Sequence, residues 1–126
     1  MNLSSGIDLI EIGRIQKALE RHGERFLQRI YTPAEIQGAR GNTPELAARF
    51  AAKEAASKAL GTGIGPVSWK EIETVNQPSG KPILRLSGRA KAIAQAQGFE
   101  TWSVSLTHSR DMAAAVVICV GDAVNA

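Results

Sequence analysis

Arg49-Phe50-Ala51-Ala52-Lys53-Glu54-Ala55-Ala56-Ser57-Lys58-Ala59-Leu60-Gly61 reads as the closing turns of a helix that carries charge where its apolar side should be. Positions three and four apart share a helix face, so Ala47, Phe50, Ala51, Glu54, Ala55 and Lys58 form one band. Glu54 and Lys58 are therefore expected to point inward. Upstream, Asp8 interrupts the apolar run Ile7-Asp8-Leu9-Ile10. Two inward acids and a base imply a charged ligand, and a metal ion with a phosphate fits that set. Each element also has an ordinary use. Glu followed four residues later by Lys is the favoured orientation of an exposed helix pair, and a short acid ahead of a helix serves as an N-cap.

Working outward from this helix, Thr43-Pro44-Glu45 supplies a cap, a proline at the first turn and an early acid, and Gly61 suits the left-handed residue beyond the helix end. Thr32-Pro33-Ala34-Glu35 opens a short helix through a capping box. Before it, Glu11 to Ile30 has helical periodicity through Ile12, Ile15, Leu19, Phe26, Leu27 and Ile30, with Gly23 as its weak point. Ser5 to Leu9 is a short strand. Beyond the long helix, Gly61-Thr62-Gly63-Ile64-Gly65-Pro66 follows a helix, whereas both standard nucleotide fingerprints precede one, so it reads as a turn. Trp69 to Val75 and Pro82 to Leu86 flank the turn 76–81 as a hairpin with a basic tip. A helix capped by Ser87 and ended by Gly98 places Ala92, Ile93 and Ala96 inward. Thr101 to Thr107 and Met112 to Val120 are closing strands. The first alternates Trp102, Val104 and Leu106 with Ser103, Ser105 and Thr107, which leaves one polar face, and the strand ends in the turn His108-Ser109-Arg110-Asp111. That face is a binding surface or simply the solvent side of an antiparallel sheet.

Composition sets the limits. With 126 residues and 44% hydrophobic content, one domain is expected, small enough that oligomerisation would help it bury surface. The lone Cys119 lies in the apolar run from Ala113 to Val120, so it reads as a core residue, and no disulfide framework forms within one chain. No signal-like segment opens the sequence and no apolar run reaches membrane-spanning length, so a soluble cytoplasmic protein without membrane attachment is expected. His22 and His108 are not at metal-ligand spacing, which argues against zinc.

The net charge is +3 and the pI near 9.4, a modest excess that tolerates an acidic partner. Its distribution says more. Arg14, Lys17, Arg21, Arg25 and Arg29 recur at steps of three and four residues, which makes one basic helix face, either solvated beside Glu20 and Glu24 or used to dock a partner. Nucleic acid is not the expected partner, since the strands lack the interleaved aromatics that stack bases.

Gly6-Ile7-Asp8, Arg49-Phe50-Ala51-Ala52-Lys53-Glu54-Ala55 through Lys58-Ala59-Leu60-Gly61-Thr62-Gly63-Ile64-Gly65, Gly80-Lys81-Pro82, and Ser103-Val104-Ser105-Leu106-Thr107-His108 with Ala113-Ala114-Ala115-Val116-Val117 together resemble the holo-[acyl-carrier-protein] synthase family, in order and over nearly the whole chain. The resemblance implies an α+β fold in which a small antiparallel sheet packs with a long helix and shorter helices. It implies one pseudo-half of the transferase fold per chain over residues 1–126, assembled as a homotrimer with active sites between subunits. The implied activity moves 4′-phosphopantetheine from coenzyme A to a serine of apo-acyl carrier protein and releases adenosine 3′,5′-bisphosphate, in fatty acid biosynthesis.

Carried over position by position, the resemblance makes Asp8 and Glu54 magnesium ligands, and makes Glu54 or a water on the metal the acceptor of the serine proton. Lys58 neutralises the departing phosphate. Arg49, Lys58, Gly61, Gly63, Lys81, Pro82, Thr107 and His108 become the coenzyme A site, with Arg49, Lys81 and His108 at its 3′-phosphate and adenosine end. Lys81 and His108 are expected from the neighbouring subunit. The carrier protein's acidic helix would meet Arg14, Lys17, Arg21 and Arg25. One departure is Ser4, where many relatives have glycine, which leaves the geometry of the first strand open.

Overall fold

The computed structural model describes residues 1–122. Its elements run β1 (Asn2–Glu11), α1 (Ile12–His22), α2 (Glu24–Ile30), α3 (Pro33–Ala39), α4 (Thr43–Leu60), a single 3-10 turn (Trp69–Glu71), β2 (Ile72–Asn76), β3 (Pro82–Leu86), α5 (Gly88–Ala96), β4 (Thr101–His108) and β5 (Met112–Gly121). β1, β5 and β4 form a three-stranded antiparallel sheet in that order, while β2 and β3 form a separate hairpin.

α4 lies across the inner face of the three-stranded sheet, and its alanines explain how closely it does so. A Cβ added to Gly6 would stand 1.9 Å from the Ala55 carbonyl oxygen, so helix and strand backbones touch here and only glycine fits. Ala51, Ala52, Ala55, Ala56 and Ala59 are all buried around this crossing. The departure at Ser4 has a local explanation: its hydroxyl donates to the Ala59 carbonyl at 2.7 Å and so adds a second tie between β1 and α4. Cys119 is buried as expected, and burial pushes its thiol pKa up. Opposite, the outer face of the sheet exposes Leu3, Ile7, Leu9, Val116 and Ile118, with Ile7 67% and Leu9 65% accessible.

Several expected boundaries move. The first strand covers ten residues rather than 5–9, because β5 pairs with its whole length from Asn2↔Gly121 to Glu11↔Met112. The single helix expected from Glu11 to Ile30 breaks at Gly23, whose φ of 51° and ψ of −126° no helix accommodates. Asn42 rather than Thr43 caps α4, accepting from the Glu45 N–H, while the Thr43 hydroxyl donates to Gln16. Residues 69–71 form the 3-10 turn, because the Glu71 carboxylate accepts from the Ser68 N–H and winds them up. In α5, Ala90 and Ala94 are buried, Ile93 is half-buried and Ala92 and Ala96 are exposed. Alanine carries too little apolar area to mark a face, so periodicity pointed to the wrong side. The Ser87 side chain makes no capping bond; the Glu71 carboxylate accepts the Arg89 N–H in its place. The Thr32/Glu35 capping box is present in full.

The largest correction concerns α4 itself. The helix is buried almost all round, and Phe50, Glu54 and Lys58 form the open stripe along it rather than a band in the core. Its fully buried charges are Arg49 and Lys53.

Candidate active site

Strand alternation carries the site's first residue. Gly6 faces α4 at the crossing, so Asp8, two residues on, faces the same way one step further along the helix. There its Oδ1 meets Lys58 Nζ at 3.2 Å, and the same ammonium donates to the Ile7 carbonyl at 3.0 Å. Lys58 is half-exposed and Asp8 is mostly covered, which describes a site at the rim of the core and open to a ligand. Glu54 stands one turn before Lys58. Partial burial raises its carboxyl above the ordinary range, the Asp8 carboxylate adds to the rise, and Lys58 opposes it. Asp8, Glu54 and Lys58 thus converge, as expected from sequence, but on an open edge.

The chemistry of this donor set suits a magnesium ion. Asp8 and Glu54 supply two hard carboxylates whose mutual repulsion a divalent cation would relieve, and magnesium keeps several of its remaining positions for water and phosphate oxygens. Among the described residues no third metal-ligating side chain joins them. The residues fit the group.

A second cluster lies at the N-terminal half of α4. The Arg49 guanidinium is buried, with Nη1 donating to Glu45 Oε2 at 2.7 Å and to the Glu45 carbonyl at 3.2 Å, while its Nε has no partner. His108 at the end of β4 places Nε2 3.9 Å from the other Glu45 oxygen. Arg49 and His108 therefore meet within one chain, through Glu45. Thr107 is exposed beside His108, on the outer sheet face.

The remaining positions are more dispersed. Gly61 (φ 80°) closes α4 in the left-handed conformation, and its N–H and those of Thr62 and Gly63 are donated to the carbonyls of Lys58 and Ser57. Gly65 donates to Val67. With these N–H groups engaged, the loop presents open, side-chain-free backbone rather than a ready phosphate cradle. Lys81 is exposed in the turn of the β2–β3 hairpin and Pro82 opens β3, half-buried. Arg14, Lys17 and Arg21 are exposed on α1. Arg25 is exposed on α2 beyond the Gly23 break, where it lines a cavity of about 220 Å³ with His22, Phe26 and Arg29.

Sequence reasoning missed the buried pair that supports the site from behind. Lys53 and Glu35 are both fully buried, with Nζ 2.7 Å from Glu35 Oε1. Nζ also donates to the carbonyls of Trp69 and Ile72 at 2.9 and 2.6 Å. The other Glu35 oxygen accepts the Thr74 N–H at 3.0 Å, so one ion pair ties α4 and α3 to the hairpin. Burial pushes the Lys53 ammonium down from the lysine range, while Glu35 holds it up. The available signal was Lys53 itself, a cation in the middle of an alanine run. Glu35 was hidden because its capping-box role explained its place with only one of its oxygens.

The 4′-phosphopantetheinyl transferase superfamily model matches residues 4–117. The chain is 49% identical over 126 aligned positions to the holo-[acyl-carrier-protein] synthase of Herpetosiphon aurantiacus, covering 94% of this chain and 99% of that one. It is 53% identical over 121 positions to the synthase of Carboxydothermus hydrogenoformans, covering 93% and 95%. Among solved structures, the Helicobacter pylori synthase in complex with coenzyme A superposes with a TM-score of 0.85 at 35% identity, covering 92% of this chain and 99% of that one. The Bacillus anthracis synthase in complex with CoA (3′,5′-ADP) gives 0.76 at 40% identity, covering 94% and 96%. The chain belongs to the 4′-phosphopantetheinyl transferase superfamily and, within it, to the holo-[acyl-carrier-protein] synthases.

Proposed function

We propose that this chain, as a single transferase domain, moves 4′-phosphopantetheine from coenzyme A to a serine of apo-acyl carrier protein, in the cytoplasm and in the service of fatty acid biosynthesis. The observation that carries the reading is the convergence of Asp8, Glu54 and Lys58 at the helix–strand crossing. The serine oxygen forms a bond to the pantetheine-side phosphorus, the phosphoanhydride bond breaks, and adenosine 3′,5′-bisphosphate leaves. Such a transfer asks chiefly for positioning and for neutralisation of charge on phosphate oxygens. Asp8 and Glu54 would hold magnesium, whose charge offsets that of the pyrophosphate. Glu54 accepts the serine proton. Lys58, anchored by the Ile7 carbonyl, places its ammonium against the departing phosphate.

Arg49 and His108, with Lys81, receive the 3′-phosphate and adenosine end, and Gly61 and Gly63 let backbone approach the ligand closely. Pro82 and Thr107 complete its contacts. The exposed Arg14, Lys17, Arg21 and Arg25 dock the acidic carrier protein. The apolar outer face of the sheet supports a homotrimer, since Ile7, Leu9 and Ile118 left in water would form a large apolar patch. Active sites are then shared between neighbouring subunits.

The test is incubation with apo-acyl carrier protein, coenzyme A and magnesium, with an EDTA control, followed by intact mass of the carrier protein. A metal-dependent gain of one phosphopantetheine is expected; no gain on a competent carrier would overturn the reading.

A further inference from the structure

Glu45 holds an unusual place between two groups that the preceding reading assigns to a phosphate. The Arg49 guanidinium is 1% exposed, whereas Glu45 is 40% exposed and His108 44%. The Glu45 carboxylate is therefore the partly open group in direct contact with a buried cation, and a ligand oxygen seeking Arg49 from that side meets it first. One of its oxygens is 2.7 Å from Arg49 Nη1 and the other 3.9 Å from His108 Nε2, so a single carboxylate spans both groups. A guanidinium has five N–H donors in a planar fork. Glu45 takes up only Nη1, with its side chain and its own carbonyl, and the buried Nε is left without a partner. An unpartnered buried donor is costly and calls for an acceptor. The arrangement is that of an anion site holding a small tethered anion that satisfies it in part.

We propose that Glu45 is an internal stand-in for the ligand's 3′-phosphate, occupying the place between Arg49 and His108 and setting how strongly this chain distinguishes coenzyme A from its dephospho form. The inference rests on the reading of Arg49 and His108 as the 3′-phosphate end. A phosphate monoester brings about two negative charges and three acceptor oxygens, against one charge and two oxygens on Glu45. It can therefore displace the carboxylate and reach donors that the carboxylate leaves free. A tethered competitor acts at high effective concentration, so a ligand without that phosphate gains little from the cluster. Displacement asks little of the backbone. The Glu45 N–H is fixed by Asn42 Oδ1 at 3.0 Å, so only the side chain has to turn out toward solvent. Glu45 touches no reacting atom in this scheme. It acts through Arg49 as a specificity-determining residue.

The experiment measures kcat and KM for coenzyme A and dephospho-coenzyme A with the wild-type enzyme and Glu45→Gln. Gln keeps the shape and removes the charge. The expected result is a wild-type preference for coenzyme A that grows roughly five- to tenfold in the variant through KM for coenzyme A, with kcat unchanged. A wild-type preference that Glu45→Gln leaves unchanged or lowers would overturn the proposal and leave the 3′-phosphate reading standing. No preference in either enzyme would overturn both. Because Glu45→Gln leaves Arg49 without its counter-charge, thermal melts with adenosine 3′,5′-bisphosphate and adenosine 5′-monophosphate provide a second readout. The variant should melt lower alone and gain more from the bisphosphate than the wild type does, with no extra gain from the monophosphate. An equal gain in both proteins counts against the proposal. If the Gln variant does not fold, Glu45→Asp, which draws the carboxylate back by one methylene, should shift the ratio in the same direction, and an unchanged ratio would overturn it.

Discussion

Asp8 and Lys58, fifty residues apart in sequence, meet at 3.2 Å because Gly6 lets α4 lie directly on β1. The contact depends on a missing side chain. Any Cβ at position 6 would push the helix off the strand and open the gap in which the acid and the base converge. Gly6 is thus a geometric requirement of the site although it carries no chemistry.

Gly6→Ala should therefore both unfold and disarm the protein. A methyl 1.9 Å from the Ala55 carbonyl cannot be accommodated without backbone movement, and overpacking of this kind costs about 1–3 kcal/mol or more. A lowered urea midpoint and a loss of activity in the fraction still folded are expected. Unchanged stability would mean that the helix–strand approach is looser than described.

Glu54→Gln separates chemistry from folding. Turnover should fall roughly 10²- to 10⁴-fold, as for loss of a positioned base. In EDTA the sign for stability is opposite. A carboxyl raised by burial and Asp8 is held more readily protonated in the fold, so stability declines as pH rises from its unfolded pKa through the higher folded one. The variant should melt slightly above the wild type at neutral pH, with the advantage vanishing in acid below both values. Because the group is only partly buried, the gain should be a fraction of that for a fully buried site. Thermal melts across pH check this, and a variant less stable at neutral pH would contradict it.

The Lys53–Glu35 pair should show strong coupling. Lys53→Met leaves Glu35 buried without its counter-charge and should cost about 3–5 kcal/mol. Glu35→Gln added to it should recover a large part of that loss. A double-mutant cycle by chemical denaturation measures the interaction, and additive losses would mean that the two residues act independently.

Arg14→Glu should raise KM for the carrier protein more than KM for coenzyme A. The defect should also shrink as salt is raised, because rim charges act through screened long-range attraction. Equal changes in both KM values would move the docking face elsewhere.

Ile7→Lys tests the outer sheet face. A charge at a position 67% exposed in the single chain costs the isolated subunit little, but it would be buried in an assembly. Light scattering should show a monomer in place of a trimer, with catalysis lost if active sites are shared. A monomeric wild-type enzyme would refute the assembly.

By itself, the sequence determined the local grammar and the chemistry. Caps, prolines and glycines marked α3, α4 and the hairpin because these residues act on backbone dihedrals within a few positions. The Arg49 to Gly65 stretch identified the family, and Asp8, Glu54 and Lys58 could be picked out because charged residues are conspicuous in apolar runs. What only the tertiary structure decided is which surfaces those residues occupy. Helix periodicity puts Glu54 and Lys58 in a core band, yet a helix as rich in alanine as α4 can be buried on almost every side, and its open edge is set by what packs on it. The ends of β1 were set by pairing with β5, more than a hundred residues away. The partnership of Lys53 with Glu35, and the place of Glu45 between Arg49 and His108, join separate elements. No local pattern specifies such pairs, because their free energy exists only once the elements have docked.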